Sequence, residues 1–241
     1  MGKKERQENL LRVIVQEYIA TAKPVSSKQL VESGEFDCSP ATLRNDMAEL
    51  EGEGFIAQPH TSAGRVPTEK GYQYYIKHFI VPQQLKGARK EAIDQAVQRQ
   101  PDERQLLKVL AKTLADLTDE TVVISMSGQN YYYTGIAHMF RKPEFAAQAD
   151  LLQEIGEMFD QIDEVMKQVN HSVSRTMQVL VGRENPFSHN CSMIVSEHRL
   201  ADEQAGVLGI VGPMRMDYDA NIAMLSYVES LMDDLYDEYR R

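Results

Sequence analysis

The chain has no tryptophan and only two cysteines, Cys38 and Cys191, in 241 residues. Two thiols cannot build a disulfide framework, and such sparse use fits a reducing compartment. No apolar run reaches the roughly 18 residues that a membrane-crossing helix needs. The opening "MGKKERQENLL" has no apolar signal core, and Arg6 stands where a myristoylation signal needs Ser or Thr. These absences point to a cytoplasmic protein without a membrane association. Hydrophobic residues at 42% and charged residues at 26% suit one large globular domain or two small ones.

Excess positive charge is also lacking. The net charge is −10, but residues 1–82 hold 10 Lys and Arg against 11 Asp and Glu, so the acidity belongs to the rest. A near-neutral first third is not a basic footprint, and any nucleic-acid contact there must come from local placement of charge. Catalytic patterns are missing too. Gly206, Gly209 and Gly212 recur within an apolar strand rather than opening a helix, which suits close packing and not a phosphate loop. His189 and Cys191 lack a second pair of metal ligands, and no nucleophile elbow occurs. The chain therefore reads as a non-enzyme with no catalytic residue, no metal site and no cofactor.

What is present begins with three helical segments. Leu11, Ile14, Val15 and Tyr18 form one stripe over residues 5–21, which Lys23-Pro24 ends. Ser26 and Gln29 have the spacing of a capping box, with Gly34 as the stop. Ser39-Pro40 opens the third segment with a capping serine and a first-turn proline. There Leu43, Met47 and Leu50 share an inward face, while Ala41, Arg44, Asn45 and Ala48 share the opposite one. That face is either simply solvated or a reader of base edges, since Arg pairs bidentately with guanine and Asn with adenine in the major groove.

Long, short and medium helices with a tight turn before the last make a helix-turn-helix. "FIAQPHTSAGRV" then reads as strand, exposed loop, strand, which is a wing beside the reader helix. On this reading Arg44 and Asn45 meet bases, and Ser39 and Thr42 lie near phosphate. Arg65 at the loop's tip supplies charge, His60, Thr61 and Ser62 donate to the backbone, and Gly64 permits close approach. Tyr72, Tyr75, Ile76 and Phe79 of the following helix close the core.

The stretch "ATLRNDMAELEGEGFIAQPHTSAGRVPTEKGYQYY" resembles the first domain of the heat-inducible transcription repressor family, HrcA. "YYTGIAHMFRKPEF", "VGRENPFSHNCSMIVS" and "GVLGIVGPMRMDYDANIAMLSYV" resemble its later segments. The resemblance implies an α+β protein in which a winged helix-turn-helix precedes a GAF-like domain. It also implies a homodimeric repressor on an inverted-repeat double-stranded operator, known as CIRCE, upstream of chaperone operons, with the chaperonin GroEL as a partner. Family members are usually about a hundred residues longer. Here "ETVVISM" runs through "SGQN" almost directly into "YYYTGIAHMF", so the sheet strands and dimerisation insert implied there are missing.

The domains expected are therefore residues 1–82, a connecting helix within 83–102, and a reduced GAF-like domain over 103–241. Asp102 and Gln105 cap a helix carrying Leu106, Leu107, Leu110 and Leu114 inward, followed by strands at 121–126 and 131–139. Residues 191–200 and 205–213 suggest two antiparallel strands, and 218–239 a final helix. Over 147–170, Leu152, Ile155, Phe159, Ile162, Met166 and Val169 step by three and four like a heptad seam. Either this helix packs on the sheet, or its seam pairs two protomers in place of the missing insert. A ligand-sensing or protein-interaction module, with the first domain as a docking platform, is the alternative to DNA binding.

Overall fold

A computed structural model describes residues 2–60, 64–98, 102–127, 130–146, 148–172, 176–199 and 205–239. The chain divides into two units, Met1–Val81 and Pro82–Arg241. In the first, α1 (Lys3–Thr21) buries Leu10, Leu11, Ile14 and Val15 against its neighbours. Ala22 in the left-handed conformation ends it. The capping box forms as spaced: the Gln29 N–H donates to Ser26 Oγ at 3.3 Å, and the Gln29 side chain accepts from Ser26 N at 3.0 Å. It starts α2 (Ser27–Glu32), which ends before Gly34 at φ +80°. Phe36, in the stretch that follows, is buried. Next comes α3 (Pro40–Gly52), then the antiparallel strands β1 (Ile56–Ala57) and β2 (Val66–Pro67), and α4 (Glu69–Phe79). Tyr72 and Tyr75 of α4 are buried, while Ile76 and Phe79 are only half-buried.

The second unit is built on a five-stranded antiparallel sheet. Its strands are β3 (Thr121–Ser127), β4 (Asn130–Thr134), β5 (Gln178–Val181), β6 (Cys191–Arg199) and β7 (Ala205–Pro213), in the order β4-β3-β7-β6-β5. β6 and β7 pair along their whole length, from Cys191 opposite Pro213 to Arg199 opposite Ala205. With a period of two, Val123, Met193, Val195 and Val211 point to one face and Val122, Ile124, Ile194 and Ile210 to the other. The second face is covered by α6 (Glu103–Thr118) and α11 (Tyr218–Tyr239), which bury Leu107, Leu110, Leu114, Leu225 and Val228. Helix α5 (Ala88–Val97) packs on α6 and α11 with Ile93 fully buried. Polar as it is, the segment expected to connect domains is part of this unit. Together the two units make an α+β fold, and no helix among the described residues is long and apolar enough to cross a membrane.

The first face is covered by α7 (Ile136–Arg141), α8 (Pro143–Ala146), α9 (Ala149–Asp160) and α10 (Ile162–Ser172). Two expectations change here. The strand read over 131–139 stops at Thr134, because Gly135 turns left-handed at φ +87° and starts α7. The single helix read over 147–170 is two, broken at Gln161. The heptad seam is used inside the unit. Ile155, Phe159, Ile162, Met166 and Val169 are buried in one cluster with Val123, Met193, Val195 and Val211 of the sheet, and Leu152 packs at its margin. A sheet face needs apolar cover as much as a partner protomer does, and here it takes the stripe. The role of these residues in dimer pairing is therefore corrected to core packing.

Glycines 206, 209 and 212 occupy β7 where neighbours leave no room. A Cβ on Gly209 would stand 2.3 Å from Met193 Cε, and one on Gly212 2.2 Å from Glu120 Oε2. Glu120 itself is buried, with Lys142 Nζ 3.4 Å from its carboxylate. Burial pushes its acid up from an ordinary 4.5 to about 8, with Lys142 pulling the other way. Between those two values the unfolded chain has released this proton and the folded chain still holds it. Stability of the second unit therefore falls as pH rises through that window, by up to roughly 1.4 kcal/mol per pH unit. Glu120→Gln should remove that slope and raise the urea midpoint at pH 8 more than at pH 5. Parallel pH profiles for parent and variant would refute the assignment.

Candidate nucleic-acid interface

The surface begins with the cap of α3. Ser39 Oγ accepts the Thr42 N–H at 3.1 Å and lies 3.0 Å from the Thr42 hydroxyl, so both side chains first serve the helix end. Leu43, Met47 and Leu50 are buried, which turns Ala41, Arg44, Asn45 and Ala48 outward, all four exposed. The two alanines keep this face low, and Arg44 makes no ion pair among the described residues.

The acids of α3 are tied back into the unit. Asp46 lies on the inward stripe between Leu43 and Leu50, only 2% exposed. Arg6 of α1 holds it through both oxygens, at 2.6 and 3.2 Å. Glu49 accepts from Lys3 at 2.8 Å and Gln7 at 2.6 Å, and these bonds, Lys3 first, hold its carboxylate below the usual range. Glu51 is 2.8 Å from Arg65 Nη2. Each acid thus has a cation beside it, while Arg44 on the outer face has no ion-pair partner among the described residues. A unit that is near neutral in sum can therefore present a positive side. Sequence reading missed Arg6 and Asp46, although an acid at core spacing was a visible sign of a buried partner.

The hairpin differs from expectation at its basic residue. Arg65 does not sit at a loop tip. Its N–H and C=O bond to Val25, both at 2.8 Å, a single antiparallel bridge that ties the chain just before β2 to the segment before α2. Its side chain is 17% exposed and directed to Glu51. Gly64 does serve a close approach, but to the chain itself: a Cβ there would be 2.4 Å from the Val25 carbonyl oxygen. His60 is exposed. Thr61 and Ser62 lie outside the described residues.

In the second unit the His189–Cys191 pair stands without further ligands: among the described residues no group of three or more His, Cys, Asp or Glu side chains could hold a metal ion. Cys191 is buried, and burial pushes its thiol up to about 12.

A helical unit that displays one helix face beside a hairpin, followed by an α+β unit on an antiparallel sheet, is the class of protein these features define. The C-terminal domain of HrcA matches residues 75–222, more than half of the chain, and the chain belongs to the HrcA family. It is similar to the heat-inducible transcription repressor HrcA of Halalkalibacterium halodurans, 25% identical over 341 aligned positions covering 97% of this chain and 99% of that protein. That of Natranaerobius thermophilus is 28% identical over 327 positions, covering 92% and 94%. A Nocardioides relative is 45% identical over 120 residues, half of this chain and 36% of that one. An alignment of 341 positions across a 241-residue chain means that the first relative has about 100 internal residues without a counterpart here. A crystal structure described as a hypothetical protein shares the fold, with a TM-score of 0.78 at 20% identity over 96% of this chain and 98% of that one.

Proposed function

We propose that this chain is a DNA-binding transcriptional repressor of heat-shock genes and acts without catalysis in the cytoplasm. Residues 1–82 form its winged helix-turn-helix, with 83–102 leading into a reduced GAF-like regulatory domain over 103–241. The carrying observation is the α3 surface: Ala41, Arg44, Asn45 and Ala48 stand exposed together, while every nearby acid of that helix is held by a cation. Arg and Asn at successive positions on a low-profile helix face suit a major groove. Ser39 and Thr42 at the helix start and the loop residues His60, Thr61, Ser62 and Gly64 flank the backbone on this reading. Membership in a family whose relatives are named heat-inducible transcription repressors supports the target class. A homodimer on a CIRCE-type inverted repeat, with GroEL as a partner, completes the reading.

A mobility shift on an inverted-repeat duplex against a scrambled one is the test. The parent should prefer the repeat, and Arg44→Ala should reduce that preference by roughly tenfold to a hundredfold, as expected for one bidentate base contact. If Arg44→Ala discriminates as the parent does, the base-reading role is wrong. If the parent shifts neither duplex, the first unit is a docking platform instead.

A further inference from the structure

We infer that Glu51 is a positioning residue that fixes the base of the hairpin loop to the reader helix, and that Arg65 serves this clamp and does not contact phosphate. The inference rests on the DNA-binding reading and deepens it.

Glu51 occupies the last turn of α3. One carboxylate oxygen accepts the Gln58 N–H at 3.0 Å, and the other pairs with Arg65 Nη2 at 2.8 Å. Gln58 directly follows β1 and Arg65 directly precedes β2, so a single side chain holds both ends of the loop. Two further contacts leave Arg65 little freedom. Its backbone is bonded to Val25 in both directions, and the adjacent Gly64 is pressed against the Val25 carbonyl. Arg65 Nε is enclosed by protein, with no hydrogen-bond partner among the described residues. A guanidinium buried on that edge and neutralised on the other contributes no free cation to a duplex. It ties the start of β2 to the last turn of α3.

The consequence separates charge from geometry. A residue that meets phosphate contributes about one unit to the slope of log affinity against log salt, and an internally paired one contributes none. Arg65→Ala should therefore weaken operator binding with an unchanged salt slope. Glu51→Gln keeps an acceptor for Gln58 but releases Arg65. It should steepen the slope by up to about one while lowering the preference for the inverted repeat. The double variant should return to the parent's slope. Without DNA, Glu51→Ala should speed exchange of the Gln58 amide about tenfold or more, because its acceptor is gone.

A slope that falls by about one in Arg65→Ala would overturn the inference and leave the DNA-binding reading intact. So would an unchanged Gln58 exchange rate in Glu51→Ala. A parent protein that shifts no duplex at any salt would remove both the DNA-binding reading and the clamp's role in it.

Discussion

Gly71→Ala destabilises the first unit, although alanine is the better helix former. In an open helix the exchange would gain roughly 1 kcal/mol. Here α4 is set directly on the chain before it. Thr68 caps the helix by accepting the Gly71 N–H at 3.1 Å, and its hydroxyl donates to the Gly54 carbonyl at 2.7 Å. Lys70 Nζ donates to the Glu53 carbonyl at 2.7 Å and sits 4.3 Å from the centre of the Phe55 ring. Between these ties a Cβ on residue 71 would come within 2.1 Å of the Phe55 carbonyl oxygen. That atom is backbone and cannot swing away, so either the helix or the strand entry must shift. Overpacking of this kind costs about 1–3 kcal/mol or more, which outweighs the propensity gain. The thermal midpoint of the first unit should fall by roughly 4–8 °C for each kcal/mol. Gly52→Ala is the control: a Cβ there meets nothing within 4 Å, so its effect should be neutral or favourable. A midpoint for Gly71→Ala at or above the parent's would refute the close-approach explanation.

Phe159→Glu and Ile162→Glu are expected to unfold the second unit. Phe159 is 3% exposed, with the rings of Tyr133 and Phe187 centred 5.2 and 5.4 Å away. Ile162 is buried in the same cluster. Removing a buried phenylalanine alone costs roughly 3–5 kcal/mol, and an unpaired carboxylate in its place costs more. A domain's whole stability is only about 5–15 kcal/mol. The expected result is loss of near-ultraviolet circular dichroism and rapid proteolysis within residues 82–241. A folded, protease-resistant protein whose light-scattering mass drops to that of a monomer would instead return these residues to an interface between protomers.

Parts of the molecule were legible from spacing alone. Ser26 with Gln29, Ser39 with Pro40, and Asp102 with Gln105 marked three helix starts, and all three form. The capping bonds that form there, from Gln29, Thr42 and Gln105 N–H, each span three residues, which the chain's own local geometry decides. The outward set on α3 was equally legible, because Leu43, Met47 and Leu50 leave only one orientation for that helix. The three glycines of β7 read as packing positions, and the atoms crowding Gly209 and Gly212 agree. The family resemblance lay in long continuous stretches of sequence, and the match over residues 75–222 bears it out.

Other features depend on residues far apart in sequence. Arg65 looked like a free cation because its partner, Glu51, lies across a loop, and its backbone partner, Val25, lies forty residues earlier. The same holds for Arg6 and Asp46, which meet between α1 and α3. A heptad pattern states that one helix face must leave water, but every apolar surface of suitable shape is an equal candidate to cover it. The sequence by itself determined where helices begin, which of their faces are apolar and which family the chain resembles, because short-range hydrogen bonds and periodicity carry that information. Only the tertiary structure decided that the 152–169 seam covers the sheet and that Arg65 is consumed by Glu51. The free energy of an apolar face or an ion pair depends on which distant surface closes over it.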